Sequence, residues 1–366
     1  MIPFGDLKRG YLSYKKEIDC AINRVLESGW YILGNEVKTF ENNFGFYCEK
    51  KYAVGVNSAT DALILSLKAC GVTSNDEVIT VSFTAIPTLA AIYSVGAKPV
   101  FVEIDDFYTI DSSKIEERIT LKTKVILPVH LYGQAADMEP ILKLAEKYNL
   151  KVIEDCAQAH GTLYKDKKVP AGDIGCFSFY PSKNLGALGD GGMIVTSDFD
   201  LYNKLLLLRE YGQKERYYQV EEGLNSRLDE LQAAILNIKL SHLDELNLRR
   251  KKIANLYFKG LKENKDIILP KLRFENGHIF HLFVIRYKNR KRLMDFLKAN
   301  GVGVQIHYPI PNHIQEYYMK TFNERYSLPK TESYSNEIIS LPIYPELKES
   351  EVFEIINLIN SFKTTD

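Results

Sequence analysis

The sequence predicts an α/β fold in which a mainly parallel β-sheet lies between helices. Apolar runs typical of buried strands alternate with stretches of helical periodicity between residues 52 and 155. Apolar residues make up 45% of the 366-residue chain, whereas glycine and proline contribute only 22 and 13 residues, a composition that suits a large buried core. The length also suits two domains of roughly 100–200 residues each.

Strands and helices are expected in regular alternation along the first part of the chain. Strands are predicted at 52–56, 77–81, 98–104, 124–133 and 151–155. The stretches between them have helical spacing, with Gly71 ending the first helix and Pro140 in the first turn of the last. Strands that alternate with helices indicate βαβ units and a sheet covered on both faces.

A change of pattern after residue 228 indicates a second, smaller domain. One long helical pattern, interpreted as the bridge between the domains, runs from there to residue 261. A strand at 278–287, a helix at 289–301, a strand at 302–308 and a closing amphipathic helix at 349–362 are predicted after it. We therefore expect a large domain at residues 1–236 and a small C-terminal α+β domain at residues 237–366.

Charge and cysteine content exclude several classes of protein. Lysine plus arginine equals aspartate plus glutamate, at 47 each, so we expect no basic surface of the kind that nucleic-acid binders need. The five cysteines are scattered without C-x-x-C spacing, which argues against a disulfide framework and a zinc site, and no other metal site is expected. No charged-then-apolar leader opens the chain and no apolar run reaches 18 residues, so we expect a cytoplasmic protein without a membrane segment.

Three segments are expected to converge at the carboxyl ends of the strands, where open parallel sheets bind their ligands. The first, NSATDAL at 57–63, begins a helix directly after a strand, and its backbone N–H groups suit a phosphate. The alternative is a capping box between Ser58 and Asp61, whose carboxylate would oppose an anion. The sequence alone leaves both interpretations open.

The other two segments supply a carboxylate and a lysine. Asp155 ends an otherwise apolar strand, although the same residue could instead form a turn or cap the next helix. Lys183 follows the strand CFSFY on a short turn, ahead of four glycines whose backbone can approach a ligand closely; a solvated surface lysine is the alternative. The glycine spacing GxxGxGG differs from GxGxxG, which disfavours a nicotinamide-dependent oxidoreductase.

A lysine, a carboxylate and a phosphate site together are what pyridoxal phosphate requires. The chain resembles the DegT/StrS family of sugar aminotransferases, which are fold-type-I pyridoxal-phosphate enzymes. The resemblance runs nearly end to end and is carried by GVNSATDAL, HLYGQAADM, EDCAQAHG, SFYPSKNLGALGDGG, GLNSRLDELQAAIL and HYPIP. It implies that Lys183 forms the Schiff base with the cofactor, that Asp155 pairs with the ring nitrogen and that Gln158 lies near the ring hydroxyl.

The resemblance also implies a phosphate site shared between two subunits, and hence a homodimer with shared active sites. Its expected members are Ala59, Thr60 and Ser178, together with Asn225, which would reach the phosphate of the neighbouring subunit. The family usually stacks an aromatic ring on the cofactor where this chain has Ala85. Phe83 could substitute for that ring if the strand keeps its period of two, so the stacking residue stays open.

The segments SFYP and KNLGALGDGG look like the branch of the family that aminates dTDP-linked 3-keto-6-deoxyhexoses. This resemblance implies L-glutamate as amino donor and a dTDP-3-amino-3,6-dideoxyhexose of galactose or glucose configuration as product, for a lipopolysaccharide or an S-layer glycan. Tyr308 and His313 are expected to line the sugar site, with packing in the small domain as the alternative. Arg216, Tyr217 and Tyr218 are expected to face the nucleotide.

Three other functions share parts of this sequence pattern. Amination at carbon 4 of the sugar usually accompanies SFHP before the lysine, where this chain has SFYP. Related sugar dehydratases replace the lysine by histidine, whereas Lys183 is present here. A non-catalytic regulatory protein that retains the cofactor pocket is the remaining alternative.

Overall fold

The computed structural model describes residues 1–362. Its α-helices are α1 (Leu7–Ser13), α2 (Lys15–Ser28), α3 (Asn35–Tyr47), α4 (Ala59–Ala69), α5 (Ile86–Ser94), α6 (Met138–Tyr148), α7 (Phe199–Arg209), α8 (Glu230–Ser241), α9 (Leu243–Leu261), α10 (Arg290–Ala299), α11 (Glu316–Phe322), α12 (Pro329–Glu337) and α13 (Glu349–Ser361). Its strands are β1 (Tyr52–Val56), β2 (Glu77–Val81), β3 (Lys98–Val102), β4 (Thr123–Ile126), β5 (Lys151–Asp155), β6 (Leu163–Tyr164), β7 (Lys167–Lys168), β8 (Ile174–Ser178), β9 (Gly192–Thr196), β10 (Gln213–Glu215), β11 (Tyr218–Gln219), β12 (Phe283–Arg286) and β13 (Ile338–Leu341). Within residues 1–362, no helix combines the length and apolarity that a membrane crossing requires.

Seven strands form one sheet in the order β1-β9-β8-β5-β4-β2-β3. Strands β3, β2, β4, β5 and β8 run parallel to one another, whereas β9 runs antiparallel to both β1 and β8. Helix α3 packs on β1, and α4 packs on β8 and β9. The strands are buried along nearly their whole length, as expected where helices cover a sheet. The prediction of a mainly parallel, mixed sheet between helices is confirmed.

The long helical pattern after residue 228 is two helices rather than one. Helix α8 ends at Ser241 and α9 begins at Leu243, with His242 between them at φ −105° and ψ −3°. The ring of His242 stacks on that of Tyr14, with 4.3 Å between ring centroids. Helix α8 packs on α2 and α3, whereas α9 packs on α13. The break therefore lies where the chain passes from one set of packing partners to another, which helical periodicity does not reveal.

Several predicted strands are shorter than expected or absent. The strand expected at 98–104 ends at Val102, and the strand expected at 278–287 spans only Phe283–Arg286. The strand expected at 124–133 ends at Ile126, because Pro128 has no N–H to donate to a neighbour and Tyr132 adopts a positive φ of 61°. The segment at 302–308 makes only isolated bridges, from Val302 to Ile2 and from Gln305 to Ser340. The small sheet instead pairs β12 with β13.

Buried apolar side chains form two main clusters. The larger surrounds the seven-stranded sheet. The second joins α9, α10, β12, β13 and α13, and it includes Ile2 from the start of the chain. Leu243 and Leu282 belong instead to the first cluster. A boundary between residues 236 and 237 stays a prediction, since side chains from both sides of it share each cluster.

Candidate active site

Strand register brings the predicted site residues to one edge of the sheet. Asp155, the last residue of β5, pairs with Cys176 of β8. Two residues further on, Ser178 pairs with Gly192 of β9, and Gly192 also pairs with Val56 at the end of β1. Because α4 begins three residues after β1, its first turn lies at the same edge as Asp155 and Ser178.

The first turn of α4 lies directly against β9. A Cβ atom placed on Gly192 would lie 2.4 Å from the carbonyl carbon of Ser58 and 2.8 Å from the nitrogen of Ala59, so only glycine permits this approach. Ala59 and Thr60 are the first two helical residues, and the N–H groups of a first helical turn have no partner within the helix. The structure therefore brings Ala59, Thr60 and Ser178 together in a group that we call the anion cradle, and its binding of a phosphate stays a prediction.

One of the two hydrogen bonds of the capping box predicted as an alternative is present. The Oγ of Ser58 accepts a hydrogen bond from the backbone nitrogen of Asp61 at 3.1 Å. The carboxylate of Asp61 accepts a hydrogen bond from the buried Ser226 Oγ at 2.7 Å. Ser226 Oγ in turn accepts a hydrogen bond from the backbone nitrogen of Asn57 at 3.1 Å. Capping and anion binding do not compete for donors, because the cap uses the backbone nitrogen of Asp61 and not those of Ala59 and Thr60.

The carboxylate of Asp155 is buried and receives two hydrogen bonds. Thr88 Oγ1 donates to one oxygen at 2.8 Å, and the backbone nitrogen of Ala157 donates to the other at 3.0 Å. Asp155 is 6% exposed, so its charge needs such donors. Neutral donors of this kind leave the negative charge in place, available to a cationic partner at the edge of the sheet.

Lys183 lies on a tight turn after β8. Its backbone nitrogen donates to the carbonyl of Tyr180 at 2.8 Å, and a Cβ atom on Gly186 would lie 2.3 Å from the carbonyl oxygen of Pro181. Burial lowers the pKa of Lys183 to about 8, and the negative charge of Asp155 acts in the opposite direction. The amine is therefore close enough to Asp155 to sense its charge, and a larger share of it is neutral near pH 7 than for an exposed lysine.

Gln158 is oriented by its neighbours. Its Oε1 accepts a hydrogen bond from the backbone nitrogen of Tyr132 at 2.7 Å, and its Nε2 donates to the hydroxyl of Tyr308 at 3.1 Å. Burial raises the pKa of Tyr308 to about 12; the charge of Asp155 also raises it, and the Gln158 hydrogen bond opposes them. The structure thus brings Gln158 and Tyr308 together, with Tyr308 near enough to Asp155 to respond to it.

His313 has different surroundings. Its Nδ1 lies 2.7 Å from Ser82 Oγ and its Nε2 lies 3.2 Å from Glu332 Oε1. The residue is 1% exposed, and burial lowers its pKa, whereas the Glu332 hydrogen bond opposes this. These contacts favour the packing alternative, and contact of His313 with a sugar stays a prediction.

The four predicted residues of the 213–225 region are exposed on the surface of the chain. Arg216, Tyr217 and Tyr218 belong to the β10–β11 hairpin, where Tyr217 is 85% exposed. Asn225 is exposed beside the buried Ser226, which ties this loop to the start of α4. A hydrogen bond therefore joins Ser226, the residue after Asn225, to the start of α4 in its own chain. The contact of Asn225 with a neighbouring subunit stays a prediction.

Phe83 is the candidate for the aromatic ring that stacks on the cofactor. Strand β2 ends at Val81, so its alternation does not extend to Phe83. Phe83 is 1% exposed and its ring lies among those of Tyr108 and Tyr132, at centroid distances of 6.0 and 6.5 Å. Phe83 thus packs within an aromatic cluster, and the assignment of a stacking residue stays open.

A buried group of potential metal ligands lies behind the site. One ligand atom each of His130, Glu154 and Cys156 falls within 4.8 Å of the others. Both ring nitrogens of His130 are already engaged, since Nε2 contacts Glu154 at 2.7 Å and Nδ1 accepts from the Ala136 nitrogen at 3.1 Å. Burial raises the pKa of the Cys156 thiol well above its usual value, which disfavours the thiolate that metals bind.

Sequence reasoning missed three residues that organise the site. Thr88 binds Asp155 from 67 residues away in the chain, and no local pattern marks it. Tyr132 binds Gln158 from 26 residues away and could have been found, because it belongs to the segment HLYGQAADM. Ser226 could have been found, because it stands next to Asn225 in the GLNSR segment.

The chain is similar to several known transaminases. A relative from Aneurinibacillus thermoaerophilus, dTDP-3-amino-3,6-dideoxy-alpha-D-galactopyranose transaminase, is 50% identical over 99% of each chain. A dTDP-3-amino-3,4,6-trideoxy-alpha-D-glucose transaminase from Streptomyces venezuelae is 43% identical, over 99% of this chain and 96% of its own. The crystal structure of S. venezuelae DesV in complex with a ketimine intermediate superposes with a TM-score of 0.95 at 43% identity, covering 98% of this chain and 97% of that one.

The family model for DegT/DnrJ/EryC1/StrS aminotransferases matches residues 13–360. This match, together with full-length relatives at 43–50% identity, covers both the large sheet and the small C-terminal unit. The chain belongs to the DegT/DnrJ/EryC1/StrS aminotransferase family, and it is an enzyme of that family.

Proposed function

We propose that the protein is a pyridoxal-phosphate-dependent aminotransferase. It transfers the amino group of L-glutamate to carbon 3 of a dTDP-3-keto-6-deoxyhexose and yields a dTDP-3-amino-3,6-dideoxyhexose. The observation that carries the proposal is the convergence of Lys183 and the buried carboxylate of Asp155 at the edge of the sheet where α4 begins. Burial lowers the pKa of Lys183 to about 8.

The residues at this edge fit pyridoxal phosphate in chemistry and order. The lysine amine suits the cofactor aldehyde, the Asp155 carboxylate suits a protonated ring nitrogen, and the first turn of α4 suits the phosphate. The Gln158 amide, held by Tyr132, suits the ring hydroxyl. When bound, the cofactor supplies an electron sink that stabilises negative charge at the carbon that loses or gains a proton.

Lys183 has the properties of a proton carrier as well as those of a nucleophile. With a pKa lowered to about 8, its Nζ can take the proton from the α-carbon of the amino donor and later deliver one to carbon 3 of the sugar. The Thr88 hydroxyl and the Ala157 backbone nitrogen hold the Asp155 carboxylate in place, so that it can pair with a protonated ring nitrogen. Both roles are expected of an aminotransferase and neither is needed by a regulatory protein.

Two relatives support carbon 3 as the site of amination. The A. thermoaerophilus and S. venezuelae proteins are both named as transaminases of 3-amino sugars linked to dTDP, although their products differ at carbon 4. The shared position of the amino group therefore supports the same position here. Glutamate as donor and a homodimer in which Asn225 reaches the neighbouring phosphate complete the proposal.

The deciding experiment is a product assay. The purified protein, loaded with pyridoxal phosphate, is incubated with L-glutamate and either dTDP-3-keto-6-deoxygalactose or dTDP-3-keto-6-deoxyglucose. NMR of the product should show nitrogen on carbon 3 and should identify the accepted epimer. A 4-amino product, or no amination of either sugar while borohydride fixes the cofactor on Lys183, would refute the assignment of the substrate.

A further inference from the structure

A chain of buried side chains extends from the turn that carries Lys183 into the small domain. Asn184 follows Lys183 directly, and its Oδ1 lies 3.0 Å from the Nδ1 of His281. Its Nδ2 donates to Asn247 Oδ1 at 2.8 Å, and the Nδ2 of Asn247 donates to the backbone carbonyl of His160 at 2.8 Å. The residues that form the links, Asn184, Asn247 and His281, are 5–7% exposed.

The His160 end of this series of hydrogen bonds determines which atom donates in each of them. The carbonyl of His160 can only accept, so Asn247 must present its amide nitrogen there and its oxygen to Asn184. Asn184 must then present its own nitrogen to Asn247 and its oxygen to His281. The Nδ1 of His281 is therefore the donor and carries the ring proton.

The remaining nitrogen of His281 is left with a lone pair. Within residues 1–362, Nε2 has no hydrogen-bonding partner, and the ring of His281 lines the same cavity of about 660 Å³ that Lys183 lines. Burial lowers the pKa of His281 well below its usual value, and the charges of Lys183 and Arg250 lower it further. The ring is thus neutral at pH 7, with one tautomer selected.

We propose that His281 is a positioning residue for Lys183, acting through Asn184. Donation from His281 Nδ1 and from Asn184 Nδ2 holds the residue next to Lys183 between α9 and the segment before β12. This anchor restricts the directions in which the Lys183 amine can point, so that less entropy is lost when it meets the cofactor aldehyde. The inference rests on the proposed function, because it takes Lys183 as the residue that binds the cofactor.

His278 is a matched control in the same segment. It is also buried, its Nδ1 accepts from the backbone nitrogen of Phe280 at 2.9 Å, and its ring stacks on that of Phe280 at 4.1 Å. Burial and the charge of Lys251 lower its pKa to about 3. Its described hydrogen bonds and ring contacts stay within its own segment and do not reach Asn184.

The test measures how fast the apoprotein captures pyridoxal phosphate, which does not depend on turnover. Borohydride reduction and peptide mapping quantify the adduct on Lys183, and absorbance gives the midpoint of its pH titration. His281→Ala should slow capture at least tenfold. His281→Asn should restore it to within about threefold of wild type, because an asparagine nitrogen can occupy the place of Nδ1 and donate to Asn184. His278→Ala and His278→Asn should capture at the wild-type rate.

A second variant guards against loss of folding. Asn247→Ala breaks the chain from its other end and should slow capture threefold or more, with thermal unfolding recorded for each variant. The inference is overturned if His281→Asn is as slow as His281→Ala, or if the folded variants capture the cofactor as wild type does. An adduct that maps to a residue other than Lys183 in the wild-type protein would instead refute the proposed function.

Discussion

Alanine at Gly192 tests the anion cradle at the start of α4. The added Cβ would lie 2.4 Å from the carbonyl carbon of Ser58 and 2.8 Å from the nitrogen of Ala59. Both atoms are backbone, so no side chain can rotate away, and reaching ordinary contact at about 3.5–4.0 Å moves the helix start by about 1 Å. Overpacking of this kind costs about 1–3 kcal/mol. Since about 1.4 kcal/mol is tenfold in Kd, we expect Gly192→Ala to weaken pyridoxal-phosphate binding about tenfold to a hundredfold.

The adjacent glycine provides the control for this substitution. A Cβ on Gly191 would meet side-chain atoms of Leu228 and Phe179 at 3.1 and 3.3 Å, and these can shift. The assay compares the affinities of each apoprotein for pyridoxal phosphate and for pyridoxal, which lacks the phosphate. Gly192→Ala should lower the preference for the phosphorylated form, and Gly191→Ala should preserve it. A Gly192→Ala protein whose affinity ratio stays within twofold of that of Gly191→Ala would refute the cradle.

Three further outcomes follow from the charges of the site. The pKa of Lys183 is lowered from 10.5 to about 8, so the unfolded chain binds more protons than the folded chain between these pH values, and the stability of the apoprotein should rise with pH across this window. In urea unfolding, Lys183→Met should remove that rise and should stabilise the apoprotein most below pH 8. Asp155→Asn removes the charge that raises the pKa of Lys183, so amine labelling of Lys183 in the apoprotein should reach its midpoint below that of wild type; an unchanged midpoint would contradict the contact. Ser226→Ala frees the Asp61 carboxylate and should weaken pyridoxal-phosphate binding about tenfold, as expected for a lost hydrogen bond to a charged group; adding Asp61→Asn should recover most of the loss, and failure to do so would place the effect elsewhere.

The sheet and its ligand edge were predictable because the ends of strands have recognisable local sequence patterns. Asp155 is a charge at the end of an apolar run, and Lys183 follows a strand and precedes four glycines. Such marks require only the period of a strand and the rule that parallel strands end at one edge. The prediction of an α/β fold with a mainly parallel sheet was confirmed for this reason.

Contacts between residues far apart in the chain could not be predicted, because no local sequence pattern indicates them. Thr88 lies within an apolar helix, and nothing around it indicates that its hydroxyl binds Asp155, 67 residues later. The break at His242 depends on which partners pack on each helix, whereas helical periodicity continues through it. His281 likewise lies in an apolar stretch of sequence, and nothing in that stretch indicates its contact with Asn184. Local sequence reports on elements, whereas these features depend on tertiary pairing.

The single antiparallel strand of the sheet accounts for the position of Lys183. A parallel partner for β8 would require a crossover to the opposite edge, carrying the chain away from Asp155. Because β9 runs antiparallel, residues 179–191 connect β8 to β9 without leaving the ligand edge, and Lys183 lies on that connection. The same reversal makes Gly192 the first residue of β9, so that it meets the start of α4 after β1. Lys183, Asp155 and the start of α4 therefore converge because one strand of the sheet is reversed.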